Sequence, residues 1–306
     1  MSNILFIFID GLGLGETDPA TNPFVRFDPP FFRSLLGRPL TREAAPFCGD
    51  SVCLAAIDAC LGVEGLPQSA TGQTALLTGV NAPAAMGRHI LGFPGPELAA
   101  IITEHGIMRE LAEKGFTVTS ANMYTPNYME LVAARKRRHS VTTLTSLRAG
   151  LRLRGLGDMA AGAAVYQDIT NESLPGYGVD LVPMVSPAVA GERLVNLARQ
   201  HHFTLFEYFQ TDRQGHKQDW ALAERIVAVL DEFLSAVYQA TSDNLLVVIT
   251  SDHGNFEDFS IKTHTTNKVP VLAWGPGCGP FTKKIRDLTA VKPAIIQYLK
   301  EGEGHD

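Results

Sequence analysis

Four runs of apolar, β-branched and aromatic residues punctuate the chain, each closed by a polar or acidic position or an aromatic turn: 3–10 (NILFIFID), 116–120 (FTVTS), 203–209 (FTLFEYF) and 244–250 (NLLVVIT). Runs this short and this apolar predict strands buried on both faces, as in a parallel sheet covered by helices. Between them, helix patterns fall at 106–114 and 221–238, the second with Ile226, Val229, Leu230, Phe233 and Val237 along one stripe. Strand and helix alternate. The expected fold class is therefore α/β, a doubly wound, mainly parallel sheet with helices on both faces. Sites in such sheets gather beyond the carboxyl ends of the strands, so the polar residues after each run are the place to look.

Two stretches break the alternation. Residues 17–46 hold six prolines and predict an irregular loop with one short helix at 31–36. Residues 123–187 start with the basic run Arg135, Lys136, Arg137, Arg138, His139 and continue through Arg148, Arg152 and Arg154. They are expected to form a small insertion, a cap or lid, on a core made of 1–122 and 188–306. The pair Arg148 and Arg152, at i and i+4, would project from one helix face and clasp an anionic substrate bidentately.

Composition narrows the function classes. The chain has 306 residues, 45% of them hydrophobic, with 26 Lys+Arg against 32 Asp+Glu, giving a net charge of −6. That suits one large α/β domain with a small insertion and speaks against nucleic acid as a partner, which calls for a basic surface. The apolar run 4–9 is too short to span a bilayer and lacks the flanks of a secretion signal. A cytoplasmic protein with no membrane partner is expected. Cysteines 48, 53, 60 and 278 form no CxxC pair and are expected to be reduced thiols.

The candidate chemistry lies after the strands. Asp10 ends the first run and is followed by glycines 11, 13 and 15, whose spacing fails the dinucleotide fingerprint. Thr211-Asp-Arg-Gln-Gly-His216 follows the third run and puts a carboxylate and an imidazole on one face if a helix starts there. Ser251-Asp-His-Gly-Asn255 follows the fourth, and Thr263-His-Thr-Thr-Asn267 comes shortly after. Oxygen and imidazole donors without thiolate suit a divalent ion such as Zn²⁺ or Mn²⁺. Earlier, Pro67-Gln-Ser69 leads into a helix expected at 70–77, with Ser69 as its N-cap. A hydroxyl there lies by free amides and the positive dipole end, where phosphate is favoured.

In this order, Asp10, Ser69-Ala-Thr-Gly, Asp212/His216, Asp252-His253-Gly-Asn and Thr263-His264-Thr-Thr-Asn-x-Val-Pro270, the chain resembles the alkaline phosphatase superfamily, closest to its cofactor-independent phosphoglycerate mutase and phosphopentomutase branch. The resemblance implies two divalent metal ions, Zn or Mn. One would be held by Asp212, His216 and His264, the other by Asp10, Asp252 and His253 with Ser69 reaching toward it. It implies Ser69 as catalytic nucleophile, forming a phosphoserine, and a small phosphorylated metabolite as the binding partner. Two departures stand out: Gln73 where the branch has His, and only 143 residues from Ser69 to Asp212, too few for a mutase cap domain. The expected activity is phosphomonoester hydrolysis, with phosphomutase as the alternative and phosphodiester or pyrophosphate cleavage after that. Arg88 and His89 are further candidates for substrate contact, and Asn255 and Lys262 for orienting the metal ligands.

Overall fold

Every residue of β1 (Asn3–Ile9) is buried, because the strand has a core on each side. Leu5, Ile7 and Ile9 point into one apolar cluster and Ile4, Phe6 and Phe8 into the other, as the two-residue period of a strand requires. The computed structural model describes residues 2–303. Six further strands complete the sheet: β2 (Phe47–Cys48), β3 (Val52–Ile57), β4 (Val118–Ser120), β5 (Phe203–Tyr208), β6 (Leu245–Thr250) and β7 (Val269–Trp274). Their order is β2-β3-β7-β6-β1-β5-β4. The four strands read from the sequence are the mutually parallel half, with β1 paired to both β5 and β6, and β4 to β5. The other three run antiparallel to their neighbours, so the sheet is mixed.

Helices cover both faces. The Trp220–Ala240 helix opens on Asp219, whose side chain accepts from the amides of Ala221 and Leu222. It packs Val227, Leu230, Phe233 and Val237 into the first core, beside the Pro187–Ala198 helix. The Ser69–Thr78, Pro96–His105 and Ile107–Glu113 helices pack on the second core. The segment 123–187 holds a small cluster of its own around Met123, Met159, Tyr166 and Leu174, while Val141 joins the second core and Val165 the first. No helix among the described residues is long and apolar enough to cross a membrane.

Three expectations are corrected. The helix that begins at Val141 ends at Arg148, with Gly150 at φ +77°, so Arg152 lies past its end and the two arginines share no helix face. The helix expected at 70–77 begins one residue early: Gln68 is its N-cap, without a side-chain hydrogen bond, and Ser69 is its first residue. Cys48 and Cys53 are opposite one another in the β2–β3 register and are joined as a disulfide, whereas Cys60 and Cys278 are free thiols. A five-residue separation says nothing about pairing until the hairpin between the two is known.

Phe233 is fully buried against the sheet. Phe233→Ala should cost about 3–5 kcal/mol in a denaturant titration, through lost burial and a cavity. An unchanged unfolding midpoint would contradict this packing.

Candidate active site

The three adjacent parallel strands β5, β1 and β6 deliver their carboxyl ends side by side. Asp10 follows β1, and Ser251, Asp252 and His253 follow β6. Beyond β5, the Gln210–Lys217 helix sets Asp212 and His216 one turn apart. Ser69 comes from across the cleft at the start of its helix, which is able to approach because it carries Gly72: a Cβ there would lie 2.9 Å from the Asp252 carbonyl oxygen. Gly11, at φ +70°, likewise leaves room for Asp212.

Two convergent sets of ligand atoms result. His216 Nε2 lies 3.5 Å from Asp212 Oδ1, His264 Nε2 lies 3.4 Å from the same oxygen, and the two Nε2 atoms are 3.3 Å apart. His253 Nε2 lies 3.3 Å from Asp10 Oδ1, 3.5 Å from Asp252 Oδ2 and 3.1 Å from Ser69 Oγ. Ligands about 2.0–2.1 Å from a tetrahedral ion are separated by about 3.4 Å, the size of these triangles. The rings of His253 and His264 stack with centroids 3.7 Å apart, joining the two sets. His216 Nδ1 donates to the Lys262 carbonyl at 2.8 Å and His264 Nδ1 to the Pro67 carbonyl at 2.7 Å. Those bonds fix the tautomer that turns each Nε2 lone pair into the site.

The carboxylates fit cations. Asp10 Oδ1 and Asp252 Oδ2 are buried with no hydrogen-bond partner, which is costly unless a positive ion meets them. Burial, then the charges of Asp252 and Asp212, push the Asp10 carboxyl well above its usual range. Burial and Asp212 carry Asp252 up to about 7. Burial and the neighbouring His264 hold His253 down to about 3. Asp212 goes the other way: burial opposes it, but the His264 hydrogen bond, the His253 charge and the Asn255 amide outweigh burial and lower it. His264 is raised, since its bond to and the charge of Asp212 outweigh burial.

Supporting contacts are dense. Asn255 Nδ2 donates to Asp212 Oδ1 at 2.7 Å, and Gln73 Nε2 to Asp10 Oδ2 at 3.3 Å. Thr71 ties the helix start to the following loop, accepting from the Ile90 amide. The Lys262 side chain is exposed, and its carbonyl positions His216. Glu257, absent from the sequence reading, is 1% exposed and accepts from the Gly13 and Asn255 amides, the Thr265 hydroxyl and the Asn267 amide. It braces three ligand-bearing loops at once. A lone Glu in a loop leaves no sequence signature of such a role. Glu207 is buried, takes the Thr142 hydroxyl at 2.5 Å, and is raised to about 7 by burial, with the Thr142 bond opposing and the Asp252 charge adding.

A cavity of about 270 Å³ exposes Asp10, Ser69, Gln73, Glu207 and Asp212, together with Arg137, Arg138 and Arg213. The other basic candidates lie elsewhere. Arg148 borders a surface groove with Thr103 and Arg109, and Arg152 is paired with Asp158 at 2.6 Å, outside the cavity. Arg88 is exposed and His89 contacts the Val63 carbonyl, and neither lines the cavity.

A family model described as the metalloenzyme superfamily matches residues 2–301. A 2,3-bisphosphoglycerate-independent phosphoglycerate mutase of Mycoplasmoides gallisepticum is 30% identical over 128 residues, 40% of this chain and 25% of that protein. The chain thus matches about a quarter of the length of such curated relatives. Among solved structures, Thermus thermophilus alkaline phosphatase aligns with TM-score 0.53 and 12% identity, over 96% of this chain and 90% of that one. A phosphoglycerate mutase of Leishmania mexicana aligns with TM-score 0.51 and 14% identity, over 97% and 95%. Both share the fold.

The raised groups set a pH dependence. Asp10, Asp252, Glu207 and His264 all hold protons more tightly folded than unfolded, so in metal-free protein the stability that Asp252 and Glu207 contribute is lost as pH rises from the ordinary carboxylate range through about 7, with Asp10 and His264 adding in the same direction. His253, already neutral, opposes this only below about 6.5. Divalent metal competes with those protons. The thermal shift given by saturating Mn²⁺ or Zn²⁺ should therefore grow from pH 6.5 to pH 8. A shift that is constant or shrinks would exclude these carboxylates as ligands.

Proposed function

Because the chain belongs to the metalloenzyme superfamily, we propose that it is a two-metal phosphomonoester hydrolase working through a phosphoserine at Ser69. Asp212, His216 and His264 would hold one ion, and Asp10, Asp252 and His253 the other, with the Ser69 oxygen beside it. Such ions, Zn²⁺ or Mn²⁺, supply charge neutralisation at the phosphoryl oxygens and acidify a nearby hydroxyl. Ser69 Oγ then forms the new P–O bond as the ester P–O bond breaks, the serine proton passing to water and the leaving alkoxide taking one back from water. Its place in the first turn of a helix aims free amides at the phosphate. Water then attacks the phosphorus of the phosphoserine, the Oγ–P bond breaks, inorganic phosphate leaves, and a proton from the attacking water restores the hydroxyl. Gln73 orients Asp10, and Asn255 orients Asp212.

Access of water carries the choice of hydrolase over mutase. The His216 side chain is 45% exposed, so the Asp212/His216/His264 set reaches solvent at His216, although Asp212 and His264 are largely buried. Residues 123–187, which we read as a cap, supply much of the cavity wall, Tyr124, Tyr128, Arg137 and Arg138 among it, while His216 and His264 lie outside that lining. A mutase must keep water from its phosphoenzyme until the product hydroxyl attacks.

With added Mn²⁺ or Zn²⁺ the protein should release inorganic phosphate from p-nitrophenyl phosphate, and phosphate release should match substrate loss one for one on metabolite esters. Ser69→Ala should lower kcat by about three orders of magnitude or more, and mass spectrometry of acid-quenched enzyme should place the phosphoryl group on Ser69. Accumulation of an isomeric ester without free phosphate would favour the mutase. Full activity in Ser69→Ala would remove the serine from its role.

A further inference from the structure

The cavity beside Ser69 has a wall of a definite kind. Tyr124 and Tyr128 lie with ring centroids 5.0 Å apart, and Phe93 lines the same space. The Arg137 guanidinium sits over the Tyr128 ring at 5.3 Å, and that of Arg138 over the Phe93 ring at 5.1 Å. Among the described residues neither arginine forms an ion pair, unlike Arg33, Arg42, Arg109, Arg152 and Arg225. The rings are held in place: the Tyr124 hydroxyl meets Thr143 Oγ1 at 2.9 Å, and the Tyr128 hydroxyl meets His139 Nδ1 at 2.9 Å.

We propose that this wall is a stacking shelf, and that the substrate is a phosphomonoester whose alcohol carries a planar heteroaromatic ring, of the nucleoside monophosphate class. The phosphate end of this assignment rests on the hydrolase reading above. The ring end rests on the shelf alone. Guanidinium planes and tyrosine rings are the surfaces on which nucleobases stack, whatever the base. A polyol placed against the same ring and guanidinium faces forgoes the stacking that a planar ring gains there. Asn127, also in the lining and next to Tyr128, offers a neutral donor and acceptor for a ring edge. At about 270 Å³ the space suits one phosphate and one nucleoside, not an oligomer.

The test separates ring from phosphate. Adenosine 5′-monophosphate and ribose 5-phosphate share the phosphate and the sugar and differ by the ring. Calorimetric titration of each into the Ser69→Ala protein with Mn²⁺ should show the nucleotide binding about tenfold more tightly or better. Tyr128→Ala on that background should abolish the difference, and Tyr128→Phe, which keeps the ring, should preserve it. Should Tyr128→Ala fail to fold, Arg137→Ala should shrink the difference in its place. Equal affinities, tighter ribose 5-phosphate, or a Tyr128→Ala change that weakens both ligands alike would overturn the shelf. A nucleotide preference in protein that hydrolyses no ester would leave the shelf standing and sink the hydrolase reading. Hydrolysis of p-nitrophenyl phosphate without a nucleotide preference would do the reverse.

Discussion

Three carboxylates that repel one another, Asp10, Asp212 and Asp252, are held together at the ends of three adjacent strands, and the surrounding structure is an answer to that conflict. Left alone, buried oxygens such as Asp10 Oδ1 and Asp252 Oδ2 would protonate or force the loops apart. The backbone prevents the second outcome, since Asp10 and the Asp252 segment extend strands that already share a ladder. Protonation is the metal-free resolution and a pair of cations the other. The same geometry therefore makes the apoprotein pH-sensitive and the site selective for positive charge.

Holding like charges in place takes a brace, and Glu257 provides it. It is itself a buried carboxylate, yet four donors from the loops after β1 and β6 and from the loop before β7 satisfy it. The difference between Glu257 and Asp252 is thus one of partners, not burial. One is saturated with hydrogen bonds and acts as a knot, whereas the other keeps an oxygen bare, open to a cation. Close approach by glycine serves the same end. Gly72 lets the Ser69 helix reach the Asp252 backbone, and Gly11 admits Asp212, so the Ser69 hydroxyl and the carboxylates share one cleft.

The sequence made the parallel half of the sheet legible and hid the rest, for physical reasons. β1, β5 and β6 are buried on both faces, and continuous apolar runs follow from that. β3 carries half-buried Ala55 and Ala56 in place of bulky residues, and β7 is interrupted near its start by Pro270, so neither stands out as a run. Most candidate ligands were legible because Asp10, Asp252 and His253 directly follow a strand and Asp212 lies in the first turn of the helix after one, whereas His216 and His264 showed only through the spacing of their motifs. What depended on tertiary contact was not legible: the Cys48–Cys53 pairing, the Glu257 brace, and which arginines face the cavity.

The arginines show how far a charge run can be read. Clustering of base in an acidic chain pointed to 123–187, but local spacing selected Arg148 and Arg152, and a glycine at 150 ends their helix between them. Arg152 and Arg154 are then occupied by Asp158, whereas Arg137 and Arg138 face the cavity on aromatic rings. That division matters for binding. Two divalent ions would only match the charge of Asp10, Asp212, Asp252 and Glu207 when all four are ionised, so a phosphate dianion arriving there would bring uncompensated negative charge. Arg137 and Arg138 line the same space, without an ion-pair partner among the described residues, and can offset that charge without entering the metal sites. Their stacking on Tyr128 and Phe93 keeps them within the cavity while leaving their N–H groups free to turn toward an anion.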